Sequence, residues 1–307
     1  MNTPTFRSAV IRTPGSPDAI EIIRVPIVEP GLGEIRVAVA AAPVNPVDLG
    51  VVRGIFHEMG LVQQPDYTGL GWDFAGTVVA TGPDVDLEVG TRVAGMVPGF
   101  DRDFGTYAEQ LVVPAANVAI VPDGLDLIEA STVPLNGLAA TQILDLLGDP
   151  QPDNDRLLVT GAAGAVGGFV TALAPERGWR VTGLARQTDE AFVRALGADF
   201  TTDMEPVWDA VIDAGVLQQR GLVLVRDGGT FIGVQPAAIP EAERGISVTA
   251  VVTRPDAHQL RDLLARASEG QLPTRVHAVM PLDQVADAHR AVARGGVRGR
   301  YVLTPNT

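Results

Sequence analysis

The first part of the chain alternates short apolar segments with turns. Turn pairs such as Pro14-Gly15 and Pro30-Gly31 separate runs rich in valine, isoleucine and alanine, which predicts short strands. The predicted strands are residues 6–11, 21–25, 34–41, 76–80, 92–96 and 107–113. Short strands with frequent turns are typical of a β-rich, barrel-like domain.

The pattern changes after Pro122. Asp126 with Glu129 forms a capping box, which predicts that residues 127–147 are one or two helices. From residue 156 onward apolar strands alternate with helical segments, and this order predicts a parallel, doubly wound sheet. The predicted strands are 157–160, 181–184, 210–212, 222–225, 230–234 and 247–253, and the helices are 167–176, 190–196 and 257–268.

A short tail follows the second pattern. Residues 275–280 and 300–303 are predicted strands that flank a helix at 282–293. We expect this tail to return to the first domain. The expected domains are therefore residues 1–121 completed by 271–307, and residues 122–270.

Charge and composition exclude several classes of protein. The net charge of −14 disfavours binding to nucleic acids and to anionic membranes, which need clustered basic residues. No apolar run approaches the roughly 18 residues of a membrane span, and residues 1–7 lack the regions of a signal peptide. A soluble, cytoplasmic protein is the expectation.

Two residue types are absent from the sequence. It contains no cysteine, which removes thiolate nucleophiles and cysteine-bound zinc, and all 23 residues counted as Lys+Arg are arginine. Without lysine there is no Schiff base and no Tyr-Lys pair, so short-chain dehydrogenase chemistry is disfavoured. The four histidines do not have metal-ligand spacing, and each is expected to be structural or solvated: His57, His258, His277 and His289.

A glycine-rich turn carries the most specific signal. Gly161, Gly164 and Gly167 follow an apolar strand and open a helix, which is the context that a dinucleotide-binding turn requires. Small residues there allow backbone N–H groups to approach a pyrophosphate, and the helix dipole favours its negative charge. A plain glycine-rich turn between strand and helix is the alternative.

The end of the next strand selects the cofactor. NAD-binding units usually place an acidic residue there, whereas this chain has Ala185-Arg186. A guanidinium at that point favours the 2′-phosphate of NADPH. Asp189 or Glu190 would reach the ribose if the strand ended later, and a solvated surface role for Arg186 is the other alternative.

Several separated segments, in order, resemble the medium-chain dehydrogenase/reductase superfamily, in its zinc-independent quinone oxidoreductase (zeta-crystallin-like) branch. The resemblance runs nearly end to end and implies a GroES-like β-rich barrel domain plus a Rossmann doubly wound parallel-sheet domain. The matching segments are residues 44–48, 71–82, 90–93, 104–109, 130–141, 161–167, 196–199, 211–215 and 299–303.

The resemblance also implies that zinc is absent. Zinc-dependent members carry Cys where this chain has Asn45, and His-Glu where it has Trp72-Asp73. Indole cannot ligate zinc, so alcohol dehydrogenation is disfavoured and reduction of an activated acceptor is favoured.

Site residues follow from the same resemblance. Asn45 is expected near the nicotinamide and substrate, with an Asn-Pro turn as its alternative role, whereas Asp48 is expected to be structural. Tyr67 is a candidate proton or hydrogen-bond donor, or else a structural tyrosine. Met204 replaces a tyrosine that touches the 2′-phosphate in many relatives. The expected cofactor-binding residues are Asn45, Thr141, Gly161, Ala163, Gly164, Ala165, Val166, Gly167, Ala185, Arg186, Gly233 and Val234.

The implied function is reduction of a quinone or an α,β-unsaturated carbonyl by NADPH, in a cleft between the two domains and without a metal. The rival is an NADPH-binding redox sensor or a crystallin-like structural protein with little turnover. The resemblance further implies a homodimer, paired through the cofactor-domain edge strand at residues 247–253, because an unpaired apolar edge favours association.

Overall fold

The computed structural model describes residues 4–305, and the chain divides into two compact units. Unit 1 comprises Met1–Leu135, Pro255–Glu269 and Thr274–Thr307, and unit 2 comprises Asn136–Arg254 and Gly270–Pro273. From the pattern of predicted strands and helices we expected domain limits after residues 121 and 270. These limits stay a prediction.

Both units are built from short elements whose bounds follow the apolar segments of the sequence. The strands in residues 4–305 are β1 (Thr5–Ile11), β2 (Ile20–Pro26), β3 (Glu34–Pro43), β4 (Thr68–Gly69), β5 (Asp73–Thr81), β6 (Arg92–Met96), β7 (Gln110–Pro114), β8 (Val118–Ile120), β9 (Arg156–Thr160), β10 (Arg180–Leu184), β11 (Asp199–Thr201), β12 (Trp208–Asp213), β13 (Val225–Gly233), β14 (Ser247–Ala250), β15 (Val276–Pro281) and β16 (Arg300–Thr304).

The helices lie in both units. In the same described range they are α1 (Pro46–Arg53), α2 (Ile55–Glu58), α3 (Leu127–Ser131), α4 (Pro134–Leu147), α5 (Ala165–Leu173), α6 (Glu190–Ala195), α7 (Gln219–Leu222), α8 (Ala257–Ser268) and α9 (Val285–Arg294). Asp126 caps α3 by accepting from the N–H of Ile128 at 2.7 Å, as the capping signal predicts. Residues 127–147 therefore form two helices.

Unit 1 is β-rich, and its described strands form two sheets. One has the order β2-β1-β4, and the other runs β15-β16-β3-β5-β6-β8 with β7 also paired to β3. Alternate residues of β3 point into a core that includes Ile35, Val37 and Val39, all with no exposed surface. This is the predicted GroES-like, β-rich domain.

Unit 2 is a parallel sheet flanked by helices. Its described strands have the order β11-β10-β9-β12-β13-β14, and each neighbouring pair is parallel. β9 lies next to β10 on one side and β12 on the other, so the strand order reverses there. In open α/β sheets ligands bind outside the carboxyl ends of the strands at such a point. The Rossmann-type prediction is confirmed.

One predicted strand is wrong. Residues 222–225 were expected to be extended because Leu-Val-Leu-Val is an apolar run. Leu222 instead ends α7, and β13 begins only at Val225. A short apolar run does not distinguish a buried helical turn from a strand. Leu222 and Leu224 are both buried, which is compatible with either conformation.

Candidate active site

The glycine turn of unit 2 is closely packed around its own backbone. Gly161 follows β9 with φ +61°, a conformation that favours glycine. A Cβ on Gly161 would lie 2.8 Å from Cα of Gly215, and one on Gly167 would lie 2.3 Å from the carbonyl oxygen of Gly161. Because neighbouring backbone atoms lie so close, neither position has room for a side chain.

Helix α5 begins directly after this turn with a free amino end. Gly164 is its N-cap, and within the described chain no side chain caps the helix. The first N–H groups of an α-helix lack intrahelical partners and carry partial positive charge. Ala165 and Val166 are partly exposed there, and Ala163 is nearly buried. This amino end fits the diphosphate of a dinucleotide.

Arg186 lies where the sequence predicts, just past the carboxyl end of β10. Its side chain is exposed and has no hydrogen-bond or ion-pair partner among the described residues, while its backbone carbonyl accepts from the Asp189 N–H at 2.8 Å. β10 ends at Leu184. Glu190 is already bonded to Gln187 and Arg194, at 2.7 and 2.8 Å, and Asp189 is 6% exposed. The unengaged group at this strand end is thus the guanidinium.

Asp213, at the end of β12, organises the loop beside the glycine turn. It accepts from the Thr160 hydroxyl at 2.6 Å and from the N–H groups of Leu217 and Gln218 at 2.9 and 2.8 Å. Val216 and Gln218 have φ of 57° and 55°, which is strained for a residue other than glycine. Sequence reasoning missed this role, although an Asp directly after an apolar strand is a signal for it.

The remaining predicted cofactor residues fall at or near the same sheet edge. Leu184, Thr160, Asp213 and Gly233 end neighbouring strands in register. Ala185 and Val234 directly follow β10 and β13. Thr141 lies apart from these strand ends in sequence, as a partly exposed residue of α4. Met204 is 37% exposed, and its sulfur lies 3.6 Å from the Arg220 guanidinium.

In unit 1 Asn45 is held by a buried carboxylate. It is the N-cap of α1 and only 1% exposed, and its amide Nδ2 donates to Oδ2 of Asp73 at 2.8 Å. Asp73 also accepts from the N–H of Leu135 at 2.6 Å. Burial raises the pKa of Asp73 to about 7, although both bonds oppose that rise. The structure thus fixes the orientation of the Asn45 amide.

Asp48 has the structural role that was expected. Its carboxylate accepts from the Asn45 N–H at 2.8 Å, from the Tyr107 hydroxyl at 2.8 Å and from the Gly71 N–H at 3.2 Å. Burial raises the pKa of Asp48 to about 6, and these bonds counteract it. Asp48 therefore ties the start of α1 to the segment that precedes β5.

Trp72 lies in an aromatic cluster. Its ring contacts Phe100 edge-on at 5.2 Å, and Phe100 stacks on Phe56 at 3.8 Å. The Arg102 guanidinium lies 5.2 Å from the Trp72 ring centroid, close enough for a cation–π interaction. The cluster joins the segments around residues 56 and 100 to the start of β5.

The ring contacts of Tyr67 involve neither Asn45 nor Asp73. Tyr67 is half-buried, its ring is tilted against Phe104 at 5.8 Å, and Arg12 lies 5.3 Å from the ring centroid. These contacts suit a structural tyrosine as well as a donor, so both alternatives stand.

The described residues contain no group of three or more His, Asp or Glu side chains that could hold a metal ion. They also contain no helix that is both long and apolar enough to cross a membrane. At the positions where zinc-dependent relatives carry zinc ligands, this chain has the amide of Asn45, the indole of Trp72 and the carboxylate of Asp73. The amide and carboxylate are bonded to each other.

Comparison with known proteins identifies two family models. An alcohol dehydrogenase GroES-like domain matches residues 31–123, and a zinc-binding dehydrogenase domain matches residues 184–303. A pikromycin polyketide synthase component of Streptomyces venezuelae is 30% identical over 89% of this chain. A trans-enoyl reductase of Aspergillus terreus is 32% identical over 63% of this chain and 55% of its own length. The chain spans only 8% of the polyketide synthase component.

The fold of the whole chain has solved counterparts. A quinone oxidoreductase from Coxiella burnetii is 25% identical, with a TM-score of 0.86 and coverage of 99% of this chain and 100% of that one. The two domain matches agree with the observed fold, which has a β-rich unit and a parallel-sheet unit with a glycine turn. The chain belongs to the medium-chain dehydrogenase/reductase superfamily, whose members are oxidoreductases that bind a nicotinamide cofactor.

Proposed function

We propose that this protein is an NADPH-dependent reductase that transfers a hydride to an α,β-unsaturated carbonyl or a quinone without a metal. The observation that carries the proposal is the unengaged Arg186 guanidinium at the end of β10. A cation there suits the 2′-phosphate of NADPH, while a carboxylate would suit the ribose hydroxyl of NAD. Relatives described as a trans-enoyl reductase and a quinone oxidoreductase support this class of acceptor.

The donor set supports chemistry without zinc. Asn45 and Asp73 are engaged with each other, and Trp72 has no group that ligates a cation. The sequence offers no cysteine for either a catalytic or a structural zinc site. An activated acceptor needs less electrophilic help than an alcohol or simple ketone, so this donor set fits it.

Each proposed residue has a distinct task. When bound, NADPH supplies the hydride. Gly161, Gly164 and the first turn of α5 hold its diphosphate. Asp73 orients the Asn45 amide, which we assign to substrate or nicotinamide positioning. Tyr67 is the alternative donor to the oxygen on which negative charge develops.

Substitution of Arg186 tests the choice of cofactor. Arg186→Gln should weaken NADPH binding about 10- to 100-fold, because it removes charge-assisted hydrogen bonds to a phosphate, and should leave NADH binding unchanged. Binding is measured by isothermal titration calorimetry. Arg261→Gln is the matched control, since Arg261 is an exposed helical arginine of α8. Equal affinity of the wild-type protein for NADPH and NADH would refute the assignment.

Steady-state oxidation of NADPH with a panel of enones and quinones tests the reaction. The assay uses protein whose zinc content has been measured by mass spectrometry. We expect turnover with at least one acceptor at negligible zinc. Tight NADPH binding without turnover on any acceptor would favour a redox sensor or structural protein instead, and activity that follows the zinc content would refute the metal-free reaction.

A further inference from the structure

Unit 1 contains a cavity of about 500 Å³ that the reductase proposal does not use. It lies where the ends of α1 and α9 meet the turn at Gly15, whose N–H donates to the carbonyl oxygen of Val52 at 2.7 Å. Its volume is within the range of small-molecule sites, roughly 300–1,000 Å³. The cavity is therefore large enough for a ligand.

Three arginines line this cavity. Arg290 is engaged by Asp18 and by Asp287, the latter at 2.7 Å. The side chains of Arg53 and Arg294, in contrast, are exposed and have no hydrogen-bond or ion-pair partner among residues 4–305. The presence of two unpaired guanidiniums at one cavity contrasts with the net charge of −14 of the chain. They give the cavity a local positive charge that is not neutralised.

The rest of the lining is largely apolar, apart from one histidine. Pro17, Leu49 and Ala293 contribute apolar surface. His289 also lines the cavity; it has no exposed surface, and neither of its ring nitrogens has a hydrogen-bond partner in the described chain. Because no surface of His289 is exposed, an occupant of the cavity would contact the apolar side chains and the arginines rather than this ring.

We propose that this cavity binds a phosphate monoester carried on a small apolar body. Two guanidiniums balance a dianion and form paired hydrogen bonds with phosphate oxygens. The apolar lining receives the body of the ligand. Arg53 and Arg294 each end a helix, where positive charge is favourable in any case. The helix dipole accounts for one arginine per helix, but not for their meeting at one cavity.

Phenyl phosphate is the probe, titrated calorimetrically into the full-length protein. We expect one equivalent to bind, more tightly than inorganic phosphate, which lacks the ring, and than benzoate, which has one charge. Arg53→Gln and Arg294→Gln should each weaken binding at least about tenfold. Ala293→Phe, at an exposed lining residue, should block binding while it keeps all three arginines.

Two control variants distinguish binding in this cavity from binding elsewhere on the protein. Arg261→Gln removes an exposed helical arginine outside the cavity and should bind phenyl phosphate as the wild type does. Arg186→Gln should also retain binding; loss of binding there would place the probe at the cofactor site and overturn the proposal. No binding by the wild type, or binding unchanged in both cavity arginine variants, would overturn it as well. Unchanged thermal midpoints establish that the variants are folded.

Discussion

At the scale of single residues, buried titratable groups of unit 1 give its stability opposite dependences on pH. Burial raises the pKa of Asp73 from 3.8 to about 7, so from about pH 4 to 7 the folded state binds more protons than the unfolded state. The contribution of Asp73 to stability therefore falls as pH rises through that window. Burial lowers the pKa of His289 from 6.5 to about 4, so the contribution of His289 to stability rises with pH in nearly the same window.

Two substitutions should separate these contributions. Asp73→Asn removes the falling contribution, so its thermal midpoint should increase more steeply between about pH 4 and 7 than that of the wild type. His289→Leu removes the rising contribution and should change the slope in the opposite direction. Thermal unfolding followed by circular dichroism at several pH values measures both. Parallel curves for the three proteins would contradict the prediction.

The leucine variant also has an expected effect at constant pH. His289 has two buried nitrogens without hydrogen-bond partners in the described residues, and leucine has none. At neutral pH we expect His289→Leu to gain on the order of 1 kcal/mol of stability. The variant also loses the edge-on contact of the His289 ring with the Tyr107 ring, whose centroids are 5.9 Å apart, and this loss limits the gain.

Single residues also mark where sequence reasoning stops. The position of Arg186 was predictable because it depends on local order: strand, glycine turn, helix, strand. The bond from Asn45 to Asp73 joins positions 28 apart, and that from Tyr107 to Asp48 joins positions 59 apart. Such pairings depend on how strands fold back on each other, which residue types alone do not specify.

At the scale of elements, the amino end of α5 depends on one glycine more than on its neighbour. A Cβ on Gly167 would lie 2.3 Å from the Gly161 carbonyl oxygen, whereas one on Gly168 would come no nearer than 3.4 Å, to Pro273. Gly167→Ala should therefore displace the turn and weaken NADPH binding at least tenfold, by roughly 1.4 kcal/mol or more.

Gly168→Ala is the matched control in the same helix. It should retain NADPH affinity and stabilise the helix by up to about 1 kcal/mol, because glycine is unfavourable inside a helix. Calorimetric titration and thermal unfolding of both variants provide the measurements. Wild-type affinity in Gly167→Ala would show that the turn tolerates a side chain.

The elements themselves were predicted better than their limits. The β6 and α8 predictions match the observed bounds, because turns and capping residues flank both segments. β5 begins at Asp73 rather than residue 76, since its first residues pair with β6 although aspartate is uncommon in strands. The predicted strand 107–113 begins only at Gln110, as Tyr107 lies in a short segment bonded to β1 through Ala9. Tertiary contacts override local pattern in both cases.

At the scale of the whole molecule, we propose a homodimer formed through β14. This strand is the outermost of the described parallel sheet and pairs only with β13 there. Val252, just beyond it, is 63% exposed. Val252→Lys should shift the protein from dimer to monomer in light scattering at micromolar concentration, because charge blocks edge pairing.

A second edge strand supplies the control for that experiment. Val279 lies on β15, at the edge of a unit 1 sheet, and is 47% exposed. Val279→Lys introduces the same charge and should leave the dimer intact. A wild-type protein that is monomeric under these conditions would contradict the proposal, as would loss of the dimer in the control alone.

The order of strands in unit 1 has a consequence for synthesis on the ribosome. β16 lies between β3 and β15, and Val302 pairs with Pro43. The sheet therefore stays open at the carboxyl end of β3 until almost the entire described chain has been translated. The parallel sheet of unit 2, in contrast, uses strands that all emerge earlier, from β9 to β14. During translation the nascent chain thus exposes an unpaired hydrogen-bonding edge at the end of β3 until β16 has emerged, and such an edge is open to pairing with other chains.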